Sequence, residues 1–266
     1  MTAAPQIYAY DYYAKLYAVE ETHWWQRGMR DAMDAVLEPA LAVTHSGRAV
    51  TALDLGCGTG YLLDYAQRYA TQPMIGLDIS AHGLRFCQQR GAHHLVLASA
   101  VEPPCADASF DLLFCIDTIQ HVSPAHADDT LMRECARLLR PNGLLFLRTN
   151  AALGHAALEG ADPNLYRRYR RRDLVALAQA AGLHVERACY VNMLPSVWGM
   201  IGEYVRAARR GITHADAIGP GLAMRPTPPR AVNALLHGIL QIEAAAIRWG
   251  VDLPFGHSQI LLVRKV

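Results

Sequence analysis

The sequence predicts an α/β protein: a doubly wound, mostly parallel sheet of seven strands, with a helical cap before it and a helical insert ahead of its last strand. Three observations carry this expectation. From residue 50 onward, short apolar runs alternate with amphipathic segments of helical period, the pattern of a sheet covered on both faces. Leu53-Asp54-Leu55-Gly56-Cys57-Gly58-Thr59-Gly60 reads as a buried strand running straight into a glycine turn. One βα unit later, Gly76-Leu77-Asp78-Ile79 ends a second strand on an acidic residue.

The elements follow in order. Residues 8–42 are helical in pattern and rich in rings (Tyr8, Tyr10, Tyr12, Tyr13, Tyr17, Trp24, Trp25), and are expected to lie over the core as a cap. Strands are expected at 50–55, 74–78, 95–98, 110–116, 144–149, 183–191 and 259–264. Helices fit between them at 61–69, 81–90, 124–139 and 172–181, the last two stopped by Asn142-Gly143 and Gly182. Before the last strand comes a detour with helical stretches at 195–210 and 230–249, joined by the Gly/Pro-rich residues 211–229. The expected division is therefore 1–47 as cap, 48–191 with 258–266 as sheet core, and 192–257 as an insert over the substrate side.

Composition narrows the class. A chain of 266 residues that is 52% hydrophobic is long and apolar enough for one large core. A net charge of +1 supplies no field to draw in nucleic acid, so none is expected as a partner. The six cysteines form no C-x-x-C pair, which argues against a disulfide frame or a metal site. The start lacks the basic and apolar regions of a signal peptide, and no run of about 18 uncharged apolar residues occurs. A cytoplasmic protein without an integral membrane segment is expected.

The glycine turn points to a nucleoside. Glycines allow positive φ and let a ligand rest on bare main chain, while the next helix offers free N–H groups and a positive dipole end. A carboxylate at the following strand tip can accept from both ribose hydroxyls. A dinucleotide turn needs glycine at its first, third and sixth positions; here the sixth is Tyr61, and the third glycine falls at Gly60.

The turn resembles the first motif of the class I S-adenosylmethionine-dependent methyltransferases, whose ligand carries a methionine tail where a dinucleotide has phosphates. The resemblance continues through Ser109-Phe110-Asp111-Leu112-Leu113-Phe114-Cys115-Ile116-Asp117 and Gln120-His121-Val122, with Gln120 where the family often has Glu. It extends over 137–147, with Asn142 in place of a usual Gly. Glu21-Thr22-His23-Trp24-Trp25-Gln26-Arg27, Tyr169-Arg170-Arg171-Arg172-Asp173-Leu174 and Pro254-Phe255-Gly256-His257-Ser258 are similar to segments of the type 11, quinone- and natural-product-like subgroup. The resemblance implies a Rossmann-like core with an antiparallel seventh strand.

Candidate residues follow. In an open α/β sheet the ligand crevice lies beyond the carboxyl ends of the strands, where Asp54, Asp78, Ser99, Asp117 and Asn150 fall. S-adenosylmethionine, with S-adenosylhomocysteine as product, is expected on Asp54, Gly56, Cys57, Gly58, Gly60 and Asp78. Ser80 is expected to cap the next helix alone and so to free Asp78 for the ribose. By the resemblance, Ser99 stands where the family places an adenine-binding Asp, Ile79 and Ala100 wall the adenine, and Asp117 faces the sulfonium; a helix cap is the alternative for Asp117. His121 is the candidate general base beside the methyl group.

In the cap, His23, Trp24, Trp25 and Arg27 either pack against the domain or wall the cleft. In the second case Trp25 and Arg27 meet the methionine tail, and His23 and Trp24 the acceptor. Asn150, Tyr166, Tyr169 and Asn192 complete the acceptor set. Apolar stripes at Leu194, Val197, Trp198, Ile201 and Val205 and along 235–247 are expected to close a pocket for an apolar acceptor; a homodimer contact or peripheral membrane contact would use the same stripes. The expected function is methyl transfer to O, N or C of a small hydrophobic organic acceptor by a monomer or homodimer. The alternatives are a non-catalytic cofactor-binding partner of the same fold and an NAD(P)-dependent oxidoreductase.

Overall fold

The computed structural model describes residues 9–44, 49–122, 127–152, 167–197 and 226–266. Two helices come first, α1 (Tyr10–Val19) and α2 (Trp24–Thr44). Then follow β1 (Ala52–Leu55), α3 (Tyr61–Ala66), β2 (Ile75–Asp78), α4 (Ala81–Gln89), β3 (Leu95–Leu97), β4 (Phe110–Ile116), α5 (Ala127–Leu138), β5 (Leu139–Asn150), α6 (Arg171–Ala180), β6 (Leu183–Val191), α7 (Arg230–Arg248) and β7 (Ser258–Lys265). Tyr166 and the expected helix beyond residue 197 lie outside the described residues.

The seven strands form one sheet in the order β3-β2-β1-β4-β5-β7-β6. Strands β1 to β5 pair in parallel, and β7 runs antiparallel to both β5 and β6. The order reverses between β1 and β4, which opens a crevice at their carboxyl ends.

Alternation of side chains across the pleat divides the core in two. Leu112 and Phe114 of β4, Leu144 and Phe146 of β5, and Ile260 and Leu262 of β7 face one side, where α2, α3, α4 and α7 pack. Leu113, Cys115, Leu145, Leu147, Leu261 and Val263 face the other, against α5 and α6. Strands buried on both faces show continuous apolar runs, which is why β4 reads as one.

Helix α7 is fastened to α2 by close packing and by polar clasps. A Cβ at Gly28 would collide with Leu240, so glycine lets the two helices approach. Asn233 accepts from the Trp24 N–H at 2.8 Å and donates to the Thr22 carbonyl at 2.9 Å, while His237 meets Asp31 at 2.6 Å. Glu243 is buried yet accepts from the N–H groups of Asn192 (2.9 Å), Met193 (3.2 Å) and Leu194 (2.6 Å).

One boundary differs from the expected pattern. Helix α5 ends at Leu138, and Leu139 already pairs with Phe110, so Asn142-Gly143 sits within the β5 span and does not act as a helix stop. The register shift between Phe110 and Leu112 absorbs the turn, with Asn142 held at φ 65°.

Candidate active site

Strand β1 delivers the chain into a turn whose three glycines all have positive φ: 85° at Gly56, 56° at Gly58 and 80° at Gly60. The N–H groups of Gly56 and Cys57 both donate to the Leu77 carbonyl, at 2.7 and 2.9 Å, which clamps the turn onto the end of β2. Two of these glycines are required for different reasons. At Gly56 a Cβ would run into the Thr118 side chain just after β4, whereas at Gly58 it would meet nothing within 4 Å. Gly58 is therefore the place where a ligand can approach main chain.

Two carboxylates stand behind the turn. Asp78, 5% exposed, accepts from the N–H of Gly58 (2.8 Å) and of Ser80 (2.8 Å), and the Tyr13 hydroxyl lies 3.4 Å from its Oδ1. Burial pushes its carboxyl up, and these hydrogen bonds pull it back. Asp54 is 2% exposed, and its Oδ1 has no hydrogen-bond partner among the described residues. Burial, then the neighbouring Asp78 charge, push its carboxyl up to about 8. Ser80 does cap α4, accepting from the Gly83 N–H at 3.4 Å, but Asp78 is not left free as expected: it also braces the turn.

On the expected adenine side, Ile79 is 56% exposed beside the turn. Ser99 is half-buried, and its hydroxyl accepts from the Val101 N–H at 3.4 Å. Ala100 packs into the core on the α5 face, so its methyl does not wall an open slot. Cys57 lies 3.8 Å sulfur to sulfur from Cys87, and that thiol contact together with burial raises its pKa. No cluster of three or more metal-ligating side chains occurs among the described residues.

In the cap, His23, Trp24 and Trp25 are packed side chains. His23 is 1% exposed, and its Nδ1 accepts from the Trp25 N–H at 3.2 Å, so it closes the start of α2. Burial lowers its pKa. Trp24 and Trp25 are core residues of the α2 face. Arg27 is half-buried and has no acidic partner among the described residues.

At the ends of β4 and β5 the sequence reading missed two partners. Asp117, at φ 54°, is held by Arg148, whose Nε donates at 3.2 Å and whose Nη2 closes a second contact. Arg148 in turn lies 5.0 Å over the Trp25 ring. Asp117 is thus half of an ion pair and not a lone carboxylate. Gln120 is buried and gathers three donors on its Oε1, from the Thr149 hydroxyl (3.1 Å), the Asn150 N–H (3.0 Å) and the Asn150 amide. Its amide nitrogen is 3.2 Å from His121 Nε2, so the ring expected to act as base is positioned by Gln120.

Tyr169 and Asn192 are buried among protein partners. The Tyr169 hydroxyl lies 3.2 Å from the Ile119 carbonyl and 3.3 Å from Asp128, and burial raises its pKa. Asn192, at φ 66°, is buried, and its amide donates to Ser258 (3.3 Å) and meets the Met29 sulfur (3.4 Å). The structure thus gathers Asp54, Gly56, Cys57, Gly58, Gly60 and Asp78 around the turn. Asp117, His121 and Asn150 lie at the adjoining strand ends, and contact between Gly56 and Thr118 joins the two groups.

Comparison with known proteins bears on residues 53–147 and on the fold. Residues 53–147 match the methyltransferase domain family. A ubiquinone biosynthesis O-methyltransferase of Paracidovorax citrulli is 35% identical over 131 residues, 44% of this chain and 50% of that protein. A tRNA1(Val) (adenine(37)-N6)-methyltransferase of Vibrio vulnificus is 29% identical over 191 residues, 64% of this chain and 72% of that protein. The chain spans half or less of the curated ubiquinone O-methyltransferases it matches, 40% to 50%. Among solved structures, a SAM-dependent methyltransferase from Archaeoglobus fulgidus superposes with a TM-score of 0.54 at 15% identity, over 90% of this chain and 94% of that one. Residues 53–147 thus match a methyltransferase domain, carried on the seven-stranded, mostly parallel sheet of the class I methyltransferase fold.

Proposed function

We propose that this protein transfers the methyl group of S-adenosylmethionine to O, N or C of a small hydrophobic organic acceptor. One observation carries the reading: a positive-φ glycine turn, open at Gly58, stands against two buried carboxylates, one of which has an oxygen with no partner among the described residues. That donor and acceptor set fits a nucleoside with a cationic tail. Asp78 would hold the ribose, the Gly58 main chain would lie along the tail, and Ile79 would cover the adenine. The cofactor supplies an activated methyl, so the protein's tasks are to position the acceptor, exclude water and, for a hydroxyl or acidic carbon, remove a proton. His121, whose Nε2 lies against the Gln120 amide, would serve that last task once this contact opens and frees the ring nitrogen.

The cap (1–47) and insert (192–257) would select the acceptor. Two of their helices, α2 and α7, are packed together by Gly28 against Leu240 and by the Asn233 and His237 clasps. A net charge of +1 favours a small acceptor over the tRNA acted on by the Vibrio relative. Among the described residues no helix is long and apolar enough to cross a membrane. Isothermal titration with S-adenosylhomocysteine tests the proposal: binding at micromolar concentration is expected, and none at millimolar concentration would remove it. An oxidoreductase would instead bind NADH, read by fluorescence.

A further inference from the structure

Helix α1, to which the sequence assigned only packing, makes specific contacts with the groups just read as the cofactor site. Its Tyr13 hydroxyl is 3.4 Å from Asp78 Oδ1, and its ring is seated by a glycine: a Cβ at Gly83 would lie 3.0 Å from Tyr13 Cε1 and 2.7 Å from the Gly58 carbonyl oxygen. Just past the end of α1, Glu20 is buried against the same turn. The Thr59 hydroxyl lies 2.5 Å from Glu20 Oε1, and Arg90 of the α4 end donates to it at 2.8 Å while also pairing with Glu21. Arg90 lies 4.2 Å over the Tyr17 ring, and Tyr10 and Tyr17 pack on Phe86 at 5.5 and 5.0 Å between centroids. One face of α1 is thus fitted to α4 and the glycine turn, and Thr59 is itself a residue of that turn.

We propose that α1 is a self-closing cover on the cofactor cleft. In it, the Tyr13 hydroxyl occupies the place of a ribose hydroxyl on Asp78, and Glu20 latches the helix to Thr59 and Arg90. This rests on the reading of Asp78 as the ribose ligand. The cofactor and Tyr13 compete for one carboxylate, so the nucleoside binds when α1 has lifted, and the fraction of open molecules sets the apparent affinity. Burial raises the pKa of Glu20, so the latch is held by a carboxylate whose charge depends on Arg90 and Thr59 remaining in place.

The test compares the full chain with Tyr13→Phe and Glu20→Gln, using S-adenosylhomocysteine as probe. Association rates come from surface plasmon resonance, and hydrogen exchange is followed over residues 10–19. Glu20→Gln should speed exchange in the free protein, and both substitutions should raise the association rate by roughly fivefold or more. Saturating probe should change exchange over 10–19 in the unaltered chain. Association at the unaltered rate in both variants, or weaker binding that arises only from faster dissociation, would overturn the cover and leave Tyr13 an ordinary ligand contact. Failure of all three proteins to bind the probe would instead sink the methyltransferase reading and take the cover with it.

Discussion

At the β1–β2 end of the sheet, the groups that define the site come from two consecutive βα units: Gly58 and Asp78 are 20 residues apart and already hydrogen-bonded. At the β5–β7–β6 end, Asn192 meets Met29 across 163 residues, and Glu243 satisfies three N–H groups about 50 residues away. In the first region glycine conformation and strand ends do the positioning. In the second, each polar side chain is placed by an element that arrives from elsewhere in the chain. The main chain and carboxylates of the first region are thus a local device that α1 reaches from a distance, whereas the second region depends throughout on how distant helices dock.

Four substitutions break or sharpen that contrast. The largest effect is expected for Asp78→Ala, which removes the proposed ribose contacts and should weaken S-adenosylhomocysteine about 100-fold by calorimetry. Next, Glu243→Ala leaves the N–H groups of 192–194 without their acceptor and should cost about 3 kcal/mol in urea unfolding. Its probe affinity should remain within about threefold of the unaltered chain. An affinity loss comparable to that of Asp78→Ala would show that the two regions are not separable.

Asp54 gives a pH dependence. Its folded-state pKa lies near 8, above the unfolded value of 3.8, so the folded state holds the extra proton between them. The stability linked to this group is complete below the lower value and is lost as pH rises through about 8. Thermal unfolding should therefore lose at least about 1.4 kcal/mol over that window, and Asp54→Asn should flatten the profile. The smallest effect is expected for Arg148→Met. It exposes one carboxylate that is already partly solvated and should cost about 1 kcal/mol by urea unfolding. A much larger loss would mean that Trp25 and Asp117 depend on Arg148 for their placement.

The legible parts of the site share one property. Strand ends at Leu55, Asp78, Ile116 and Val191 coincide with the expected ones because each is bounded by a change in local pattern. The glycine turn was readable because positive φ is a demand placed on single residues. The sequence could not place His23, Tyr169 and Asn192, because a polar side chain in an apolar neighbourhood looks alike whether it lines a cleft or meets a buried protein partner. Asp117 has the same history: nothing near it in sequence signals Arg148, which the parallel register of β4 and β5 sets beside it.

From the residues alone came the sheet, the turn, and the two carboxylates at neighbouring strand tips, since backbone conformation and alternating burial are properties of short segments. Only the tertiary structure decided which partner each buried polar group takes: Tyr13 on Asp78, Glu20 on Thr59 and Arg90, Arg148 on Asp117, and Glu243 on 192–194. The physical reason is that a buried charge or N–H must be satisfied by whatever group packing brings within about 3 Å, and that choice belongs to the docking of distant elements.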